Sequence, residues 1–364
     1  MHLAEIIKEK IEMEGPVSFH DFMEMALYYP DLGYYTSQKE RIGAQGDYYT
    51  SPYLTSIFGH LIAKQVEEMW SILGKKQFTI VEFGAGSGSL CNDILSQLKL
   101  NTRFYENLDY YVIEKDSRLK EKIIPTEKVK WVDDIDEVPL HDGCILSNEL
   151  VDNFPVHKVE MQDELMEVFV DYKNGFIETL RPANEILKNY FEELQVELPQ
   201  GYCTEINLQA IDWISSVVGK LRTGFVITID YGFSSSELYS NKRSSGNIVC
   251  YHKHKVNFSP YENIGEQDIT THINFSALIH WGQKNDLHYT GFTTQANFLL
   301  ALGLTDYLRK MEQSTSDSFT SVSEKAFMIR TFLMDMGNKL KVLIQHKGIE
   351  KPNLSGLQFS QHLD

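Results

Sequence analysis

Three glycines occupy alternate positions in the segment FTIVEFGAGSGSL, residues 78–90, directly after a run of apolar and β-branched residues. A strand, a glycine-rich turn and a following helix form a common nucleotide site, because the helix N-terminus offers unpaired N–H groups and a partial positive charge. The dinucleotide fingerprint is GxGxxG, whereas Gly84, Gly86 and Gly88 give GxGxG, and Ser89 stands where the third glycine should fall. The spacing therefore indicates a ligand that approaches the backbone closely, with a tight turn alone as the simpler interpretation.

Carboxylates at the ends of the two predicted strands around this turn favour a cationic nucleoside. Glu82 ends the strand before the turn, where a carboxylate would repel a pyrophosphate but suits an ammonium or sulfonium group. Glu114 ends the next strand and can accept both ribose hydroxyl hydrogens, which NAD would also require. S-adenosylmethionine carries both cations and no phosphate, so we expect it as the cofactor. An NAD-dependent oxidoreductase is the alternative that these residues leave open.

Acidic and amide side chains also end the third and fourth predicted strands. Asp133 and Asp134 follow the third strand, where they could face the adenine amine or lie in a solvated turn. Asn148 and Glu149 end the fourth strand, where they could contact the ligand or cap a helix. Because open α/β sheets bind ligands at the carboxyl ends of their strands, we expect these side chains to surround one site.

Strand and helix patterns alternate through the middle of the chain and predict an α/β fold, a mostly parallel sheet with helices on both faces. Two intervals are too long for ordinary crossovers, so we expect an inserted substrate or lid region at 151–223 and 232–285. The remaining predicted units are an N-terminal helical and lid extension at 1–74, a Rossmann-like domain at 75–150 and 224–346, and a weakly ordered tail at 347–364. Predicted strands cover 78–83, 110–114, 129–132, 144–147 and 225–231, with closing strands at 287–290 and 340–344. Predicted helices cover 3–13, 19–27, 53–70 and 87–98, and predicted loops cover 28–54 and 312–323.

The composition limits the class of protein. A net charge of −17 over 364 residues argues against nucleic-acid binding, since phosphates require a basic face. The four cysteines lie far apart without a CxxC pair, as is typical of a reducing compartment. We find no signal or transit peptide and no apolar run of about 18 residues, so we expect a cytoplasmic protein that does not enter a membrane. Cys250, His252 and His254 alternate and could bind zinc, but a fourth ligand is missing, so we expect an edge strand and no metal.

Longer motifs resemble one known family. The chain is similar to the MidA-like family of class I S-adenosylmethionine-dependent methyltransferases along nearly its whole length, which implies a Rossmann-like sheet with a second lobe built from the N-terminal extension and the insertions. Tyr53 departs from the pattern, because the family usually has an acidic residue after TSP. The motifs that carry the resemblance are GPVSFHDFMEMALYYPDLGYY, IGAQGDYYTSPYLTSIFG, VEFGAGSGSL, SNELVDNFPVHKV, ITIDYGF, GEQDITTHINF and GFTTQANFLLALG.

The resemblance implies S-adenosylmethionine as the cofactor and a protein as the substrate. Mitochondrial members of the family assist assembly of respiratory complex I and methylate an arginine of one of its subunits, so an arginine acceptor is expected. The loop GDYYTSP at 46–52, with Thr50 and Ser51, would close over both ligands. The resemblance implies that Glu82, Gly84, Gly86 and Gly88 contact the methionine end of the cofactor and that Glu114 contacts its ribose. Asp133 and Asp134 would lie near the adenine. Asn148, Glu149 and Asp152 would face the transferring methyl, and Gln267, Asp268 and His272 would approach it from the second insertion.

An arginine acceptor requires carboxylates, because its guanidinium stays protonated and must be oriented by paired N–H···O bonds. Glu149 and Asp152 are the first catalytic candidates and Asp268 is the third. Asp152 could instead cap a helix. Asp230 could have a purely structural role, in which it fixes the turn that follows its own strand. His272 could accept the proton after transfer, although a structural histidine is the simpler interpretation. A non-catalytic assembly factor that uses the cofactor for stability is the main alternative function, and a homodimer is left open.

Overall fold

The computed structural model describes residues 2–37, 41, 43, 46–47, 49–115, 126–314, 323, 326–361 and 363. The strands are β1 Val17–Ser18, β2 Phe78–Phe83, β3 Leu108–Ile113, β4 Val129–Val132, β5 His141–Asn148, β6 His157–Met161, β7 Leu165–Tyr172, β8 Phe176–Pro182, β9 Cys203–Ile206, β10 Leu221–Phe233, β11 Ile248–His252, β12 Lys255–Asn257, β13 Asp268–Thr271, β14 Ile273–Asn274, β15 His288–Thr294 and β16 Leu340–Lys347. The α-helices are α1 Leu3–Glu14, α2 Phe19–Tyr28, α3 Ser51–Leu54, α4 Ser56–Ile72, α5 Ser89–Leu98, α6 Thr102–Glu106, α7 Glu185–Glu193, α8 Leu208–Lys220, α9 Ser235–Leu238, α10 Phe275–Lys284, α11 Gln295–Ala301, α12 Leu304–Ser314 and α13 Met336–Lys339.

The central sheet follows the order β15-β16-β10-β5-β2-β3-β4, with β14 beside β10. Its pairs from β10 to β4 are parallel, whereas β16 runs antiparallel to both of its neighbours. The chain runs outward from β2 to β4 and then returns to β5 on the other side of β2. The strand order therefore reverses between β2 and β5, and ligands bind at such a point in open α/β sheets.

Helices cover both faces of this sheet, which explains the unbroken apolar run of β2. Ile80 packs in the cluster beneath α4 and α5, and Val81 packs in the cluster beneath α8 and α10. Both side chains are fully buried, as expected for a strand covered on both faces. The α/β fold class that the sequence predicts is confirmed.

A second lobe combines the N-terminal helices with the two long insertions. Five antiparallel strands, β1 and β6 to β9, form one sheet, and β12-β11-β13 form a smaller one. Side chains of α1 and α2 share a core with these sheets, for example Ile7 and Phe22 with Val170 and Ile269. Ser18 caps the N-terminus of α2, because its Oγ accepts the Asp21 N–H at 3.0 Å. The expected second lobe is therefore present, while α4 of the predicted N-terminal unit packs on the central sheet instead.

Four local predictions differ from the structure. The helix expected at 53–70 is interrupted at Thr55, whose Oγ1 accepts the Ile57 N–H and begins α4. β11 is the middle strand of its sheet, so the edge strand expected for Cys250 and its neighbours is wrong. The tail is also more ordered than predicted, because Leu354 is buried and Ser355 Oγ donates to Glu68 at 2.7 Å. Of the loop predicted at 312–323, the first residues belong to α12 and 315–322 lie outside the described residues.

Candidate functional site

A cavity of about 1380 Å³ opens at the carboxyl ends of the parallel strands, where the strand order reverses. The glycine turn after β2, Glu114 after β3 and Asn148 at the end of β5 all line it. Side chains of the second lobe, including Asp268 of β13, form the opposite wall. The predicted strand-end residues therefore surround one space, as the sheet topology requires.

The glycine turn adopts a backbone that residues with a Cβ rarely adopt. Gly84, Gly86 and Gly88 have φ values of 67°, 53° and 74°. The Gly84 N–H donates to the Ile113 carbonyl at 2.8 Å, and the Gly86 N–H donates to Glu114 Oε2 at 3.1 Å. The turn is thus tied to the end of β3, and α5 begins immediately after it at Ser89. Gly84 and Gly86 line the cavity directly.

Glu82 lies beneath this turn as a buried acid. Its carboxylate accepts a hydrogen bond from Tyr110 Oη at 2.5 Å. Burial raises the pKa of Glu82 to about 7, and the nearby Glu114 carboxylate raises that pKa further, while the Tyr110 bond opposes the change. A cation bound in the cavity would favour the ionised form of Glu82, which suits an ammonium or sulfonium group better than a phosphate.

The predicted adenine side combines a capped turn with one face of α8. Asp134 caps the short 3₁₀ turn at Ile135–Glu137, since its Oδ1 accepts the Asp136 N–H at 2.8 Å. The neighbouring Asp133 lines the cavity as well. The facing wall comes from α8, where residues three or four positions apart share one face: Gln209, Asp212, Trp213 and Ser216. This face was not predicted from the sequence, although its helical spacing is a usable signal.

Two buried polar atoms at the cavity lack partners within the described part of the protein. They are Asn148 Oδ1 and Trp213 Nε1. Buried polar groups are normally hydrogen-bonded, so an acceptor and a donor remain for a ligand or water. With the glycine turn and Glu114 nearby, this set fits an adenosine cofactor with a cationic sulfur, and we find no residue in it that would exclude one.

We expect Gly84→Ala to weaken the binding of S-adenosylhomocysteine about tenfold. A Cβ at φ 67° strains the turn, and it would lie 2.8 Å from Leu150 Cδ1. Titration calorimetry measures the affinity. Gly74→Ala is the matched control, because Gly74 also has a positive φ, of 82°, but its Cβ would meet nothing within 4 Å. Equal affinity in both variants would contradict a ligand at this turn.

A second group of carboxylates, Glu149, Asp152 and Asp268, lines the floor of the cavity, and Asp230 lies behind them without lining it. Asp230, at 0% exposure, holds the turn after β5, because its Oδ2 accepts the N–H groups of Leu150, Val151 and Asp152 at 2.8–3.3 Å. Asp230 therefore fixes the turn at 150–152, which is a different turn from the one after its own strand that the sequence suggested. Glu149 precedes that turn with a φ of 51°, a strained conformation that directs its carboxylate beside Asn148. Strain of this kind is typical of functional sites.

Burial changes the acidity of this group. Burial raises the pKa of Glu149 to about 8, and the Asp230 charge adds to the effect. Burial raises the pKa of Asp268 to about 7, although a bond from Tyr35 opposes it. The pKa of Asp152 lies well above its ordinary value, because burial and three neighbouring carboxylates disfavour its charge. Tyr35 donates a hydrogen bond to Asp268, and the amides of Asn148 and Asn153 donate to Glu149 and Asp152. The charge of Arg41 also lowers the pKa of Asp268, but it does not cancel the effect of burial.

Residues from the second lobe complete the floor. Tyr35 Oη lies 2.6 Å from Asn153 Oδ1 and 2.8 Å from Asp268 Oδ1. Asn153 Nδ2 donates to Asp152 Oδ1 at 2.9 Å, which links all four side chains. Tyr28 Oη donates to the Asn153 carbonyl at 3.2 Å. The N-terminal extension thus contributes directly to the acidic floor, and the sequence analysis did not select Tyr28, Tyr35 or Asn153.

Several predicted site residues lie elsewhere. Thr50 lines the cavity, whereas Ser51 is buried behind it, where its Oγ contacts Gln295 at 3.1–3.2 Å and its backbone N–H donates to Glu149. Tyr48, which also belongs to the loop predicted at 46–52, lies outside the described residues. Gln267 donates to the Ser259 carbonyl at 2.8 Å and supports the hairpin of β11 and β12. His272 lies away from the cavity lining, with its ring 5.0 Å from that of Phe233.

The comparisons with known proteins agree with this geometry. A family model described as "Putative S-adenosyl-L-methionine-dependent methyltransferase" matches residues 61–293. A Caenorhabditis elegans protein named "Protein arginine methyltransferase NDUFAF7 homolog, mitochondrial" is 26% identical to this chain. The alignment covers 93% of this chain and 85% of the Caenorhabditis elegans protein. The human protein arginine methyltransferase NDUFAF7 is 27% identical, and its alignment covers 81% of this chain and 72% of the human protein. The crystal structure of a likely methyl transferase from Burkholderia thailandensis, bound to S-adenosyl-homocysteine, has a TM-score of 0.89 and is 27% identical. The match covers 99% of this chain and 95% of the Burkholderia chain.

These relatives correct one expectation. The cytoplasmic location predicted from the sequence is wrong, because the curated relatives are named as mitochondrial proteins. Separately, no helix in the described part of the chain is long and apolar enough to cross a membrane.

Proposed function

The chain belongs to the family of S-adenosyl-L-methionine-dependent methyltransferases, and we propose that its acceptor is an arginine side chain of a protein substrate. The observation that carries this proposal is the acidic floor, in which the carboxylates of Glu149, Asp152 and Asp268 line one cavity. Neighbouring buried carboxylates repel one another, and the charge of Arg41 offsets only part of this repulsion at Asp268, whose pKa is still raised to about 7. A guanidinium suits such a site best, because it stays charged and presents five N–H donors in a plane. The names of the curated relatives, which are called protein arginine methyltransferases, support the same acceptor.

The first group of residues would hold the cofactor. Glu82, Gly84 and Gly86 would contact its methionine end, Glu114 its ribose, and Asn148 its remaining polar edge. When bound, S-adenosylmethionine supplies a methyl group already activated by the positive charge on sulfur. The protein then needs mainly to align the acceptor with that methyl and to exclude water.

The second group would prepare the acceptor. Glu149 and Asp152 would accept N–H bonds from the guanidinium and hold its charge away from the attacking nitrogen. That nitrogen forms the N–C bond as the C–S bond breaks, and it releases one proton. Asp268 can take this proton, since its pKa of about 7 is close to neutrality and Tyr35 already fixes its other oxygen. His272 has no step in this proposal.

Labelled-methyl transfer tests the acceptor. Lysate from a strain that lacks the protein is incubated with purified protein and methyl-labelled S-adenosylmethionine, and the labelled band is digested for mass spectrometry. We expect the label on arginine nitrogen. Label on another residue type would overturn the arginine proposal but keep the methyltransferase. Cofactor binding without label in any fraction would favour a non-catalytic assembly factor instead.

A further inference from the structure

One face of the small sheet forms a continuous row from the surface to the acidic floor. Val256 of β12 pairs with Tyr251 of β11, and Tyr251 pairs with Asp268 of β13. Residues directly opposite in antiparallel strands point to the same face of the sheet, and all three line the cavity. Exposure falls along the row, from 56% at Val256 to 3% at Asp268. The row therefore marks a path by which a side chain can enter.

The outer end of this row is an unpaired strand edge. In the part of the chain that the structure describes, β12 pairs with β11 and with no other strand. Lys253 and His254 form the turn between these strands, with φ values of 49° and 59°, as in a two-residue type I′ hairpin. His252 and Lys255 then form a hydrogen-bonded pair. Hydrogen-bonded and non-hydrogen-bonded pairs alternate along antiparallel strands, so the next pair, Tyr251 and Val256, is not hydrogen-bonded. The N–H and C=O of Val256 consequently point outward, away from β11.

Apolar and aromatic side chains surround the same opening. Tyr49 and Tyr53 are 40% and 43% exposed and line the cavity together with Val256. Tyr49 stacks on His254 at 5.2 Å, which attaches it to the hairpin turn. The opening therefore combines an apolar rim, an exposed backbone edge and an acidic interior.

We propose that an extended segment of the substrate protein docks along the outer edge of β12 and inserts its arginine along the row toward Asp268. This inference rests on the proposed arginine acceptor. Two strand spacings, roughly 10 Å, separate β12 from β13, so an arginine that reaches the floor brings its own backbone to the rim. There the segment extends the sheet by one strand through the Val256 N–H and C=O, a known mode of peptide recognition. Its cationic side chain complements the acidic floor, and its neighbouring side chains contact the apolar rim.

A pool of synthetic nonapeptides with a central arginine and mixed residues elsewhere serves as the probe. The rate of labelled-methyl transfer to the pool gives kcat/KM, and Nα-acetylarginine amide gives the same quantity without a peptide backbone. Val256→Pro removes the outward N–H, and proline is tolerated on edge strands. We expect Val256→Pro to lower kcat/KM for the pool about tenfold, which is the effect of losing one well-formed hydrogen bond. Val256→Ala keeps the N–H and should lower it by less than about threefold.

Each outcome distinguishes the docking surface from the proposed function. Titration with S-adenosylhomocysteine establishes that both variants are folded, because neither changes the glycine turn. Equal kcat/KM for Val256→Pro and Val256→Ala would overturn docking at the strand edge while leaving the arginine acceptor in place. Equal kcat/KM for the amide and the pool would show that the site takes a small guanidino compound. Loss of a dimer in the proline variant, with peptide transfer unchanged, would assign the edge to a second copy of the chain. Label on no arginine probe would overturn the acceptor itself.

Discussion

Glu149→Gln will lower kcat for methyl transfer about a thousandfold while S-adenosylhomocysteine still binds within a few-fold of the wild-type affinity. Glu149 is half-buried in the cavity wall, and desolvation raises its pKa to about 8, so the cavity opposes its charge until a cation arrives. Binding of a guanidinium displaces the proton and creates two charge-assisted hydrogen bonds, which an amide cannot supply. Removing one such group at a reacting centre typically lowers kcat a hundred- to a thousandfold. Single-turnover transfer to the labelled acceptor measures this change, and calorimetry measures the binding of the cofactor product.

Glu205→Gln is the matched control for this variant. Glu205 is buried, and burial raises its pKa, but its Oε2 accepts the N–H of Asn247 at 2.8 Å outside the cavity. We expect this control to retain transfer within about threefold. If Glu149→Gln retained a similar rate, Glu149 would not act on the acceptor. If both variants lost transfer equally, loss of any buried carboxylate would explain the effect.

The cofactor half of the site could be predicted from the sequence because it depends on local order. Apart from the face of α8, its residues end or follow a strand, and parallel strands bring their carboxyl ends to one edge of the sheet. Glu82, Gly84 and Glu114 therefore meet at one cavity once β2 and β3 are recognised. The roles of these residues toward the cofactor remain predictions that the binding experiments test.

The acceptor half could be predicted only in part, because it depends on contacts between distant segments. Tyr35 and Asp268 are hydrogen-bonded although 233 positions separate them, and no periodicity in either segment indicates this contact. Asp268 and Asp152 were selected from motifs of the resembled family, whereas Tyr35 and Asn153 were not selected. The strands of the second lobe fall in intervals where short antiparallel pairings leave a weak pattern. Their arrangement follows from the shared core with α1 and α2, which becomes visible only in the folded chain.

The acidic floor also predicts how stability depends on pH. Glu149 has a pKa of about 8 in the folded protein, above its ordinary value of 4.5, so the folded state binds a proton that the unfolded state has lost between these values. This group therefore contributes its full stability below pH 4.5, and the contribution is lost as pH rises to about 8. The loss amounts to about 1.4 kcal/mol per pH unit for one group. Wild-type protein without ligand should accordingly be more stable at pH 5.5 than at pH 8.

Glu149→Gln, which cannot ionise in either state, should remove much of that dependence. Because glutamine also changes the local hydrogen bonds, we expect a gain on the order of 2–4 kcal/mol at pH 8, roughly 3–5 °C in Tm for a chain of this size, and a smaller gain at pH 5.5. Thermal melts at the two pH values measure the difference. The surface variant Glu185→Gln, at a side chain that is 81% exposed, should stay within about 0.5 kcal/mol of wild type. A larger gain at pH 5.5 than at pH 8 would reverse the sign and contradict the assignment. If Glu149→Gln were more stable than wild type at pH 8 but inactive, the carboxylate would be shown to lower the stability of the free protein in a site that binds a cation. Such a trade-off between stability and activity is common in active sites.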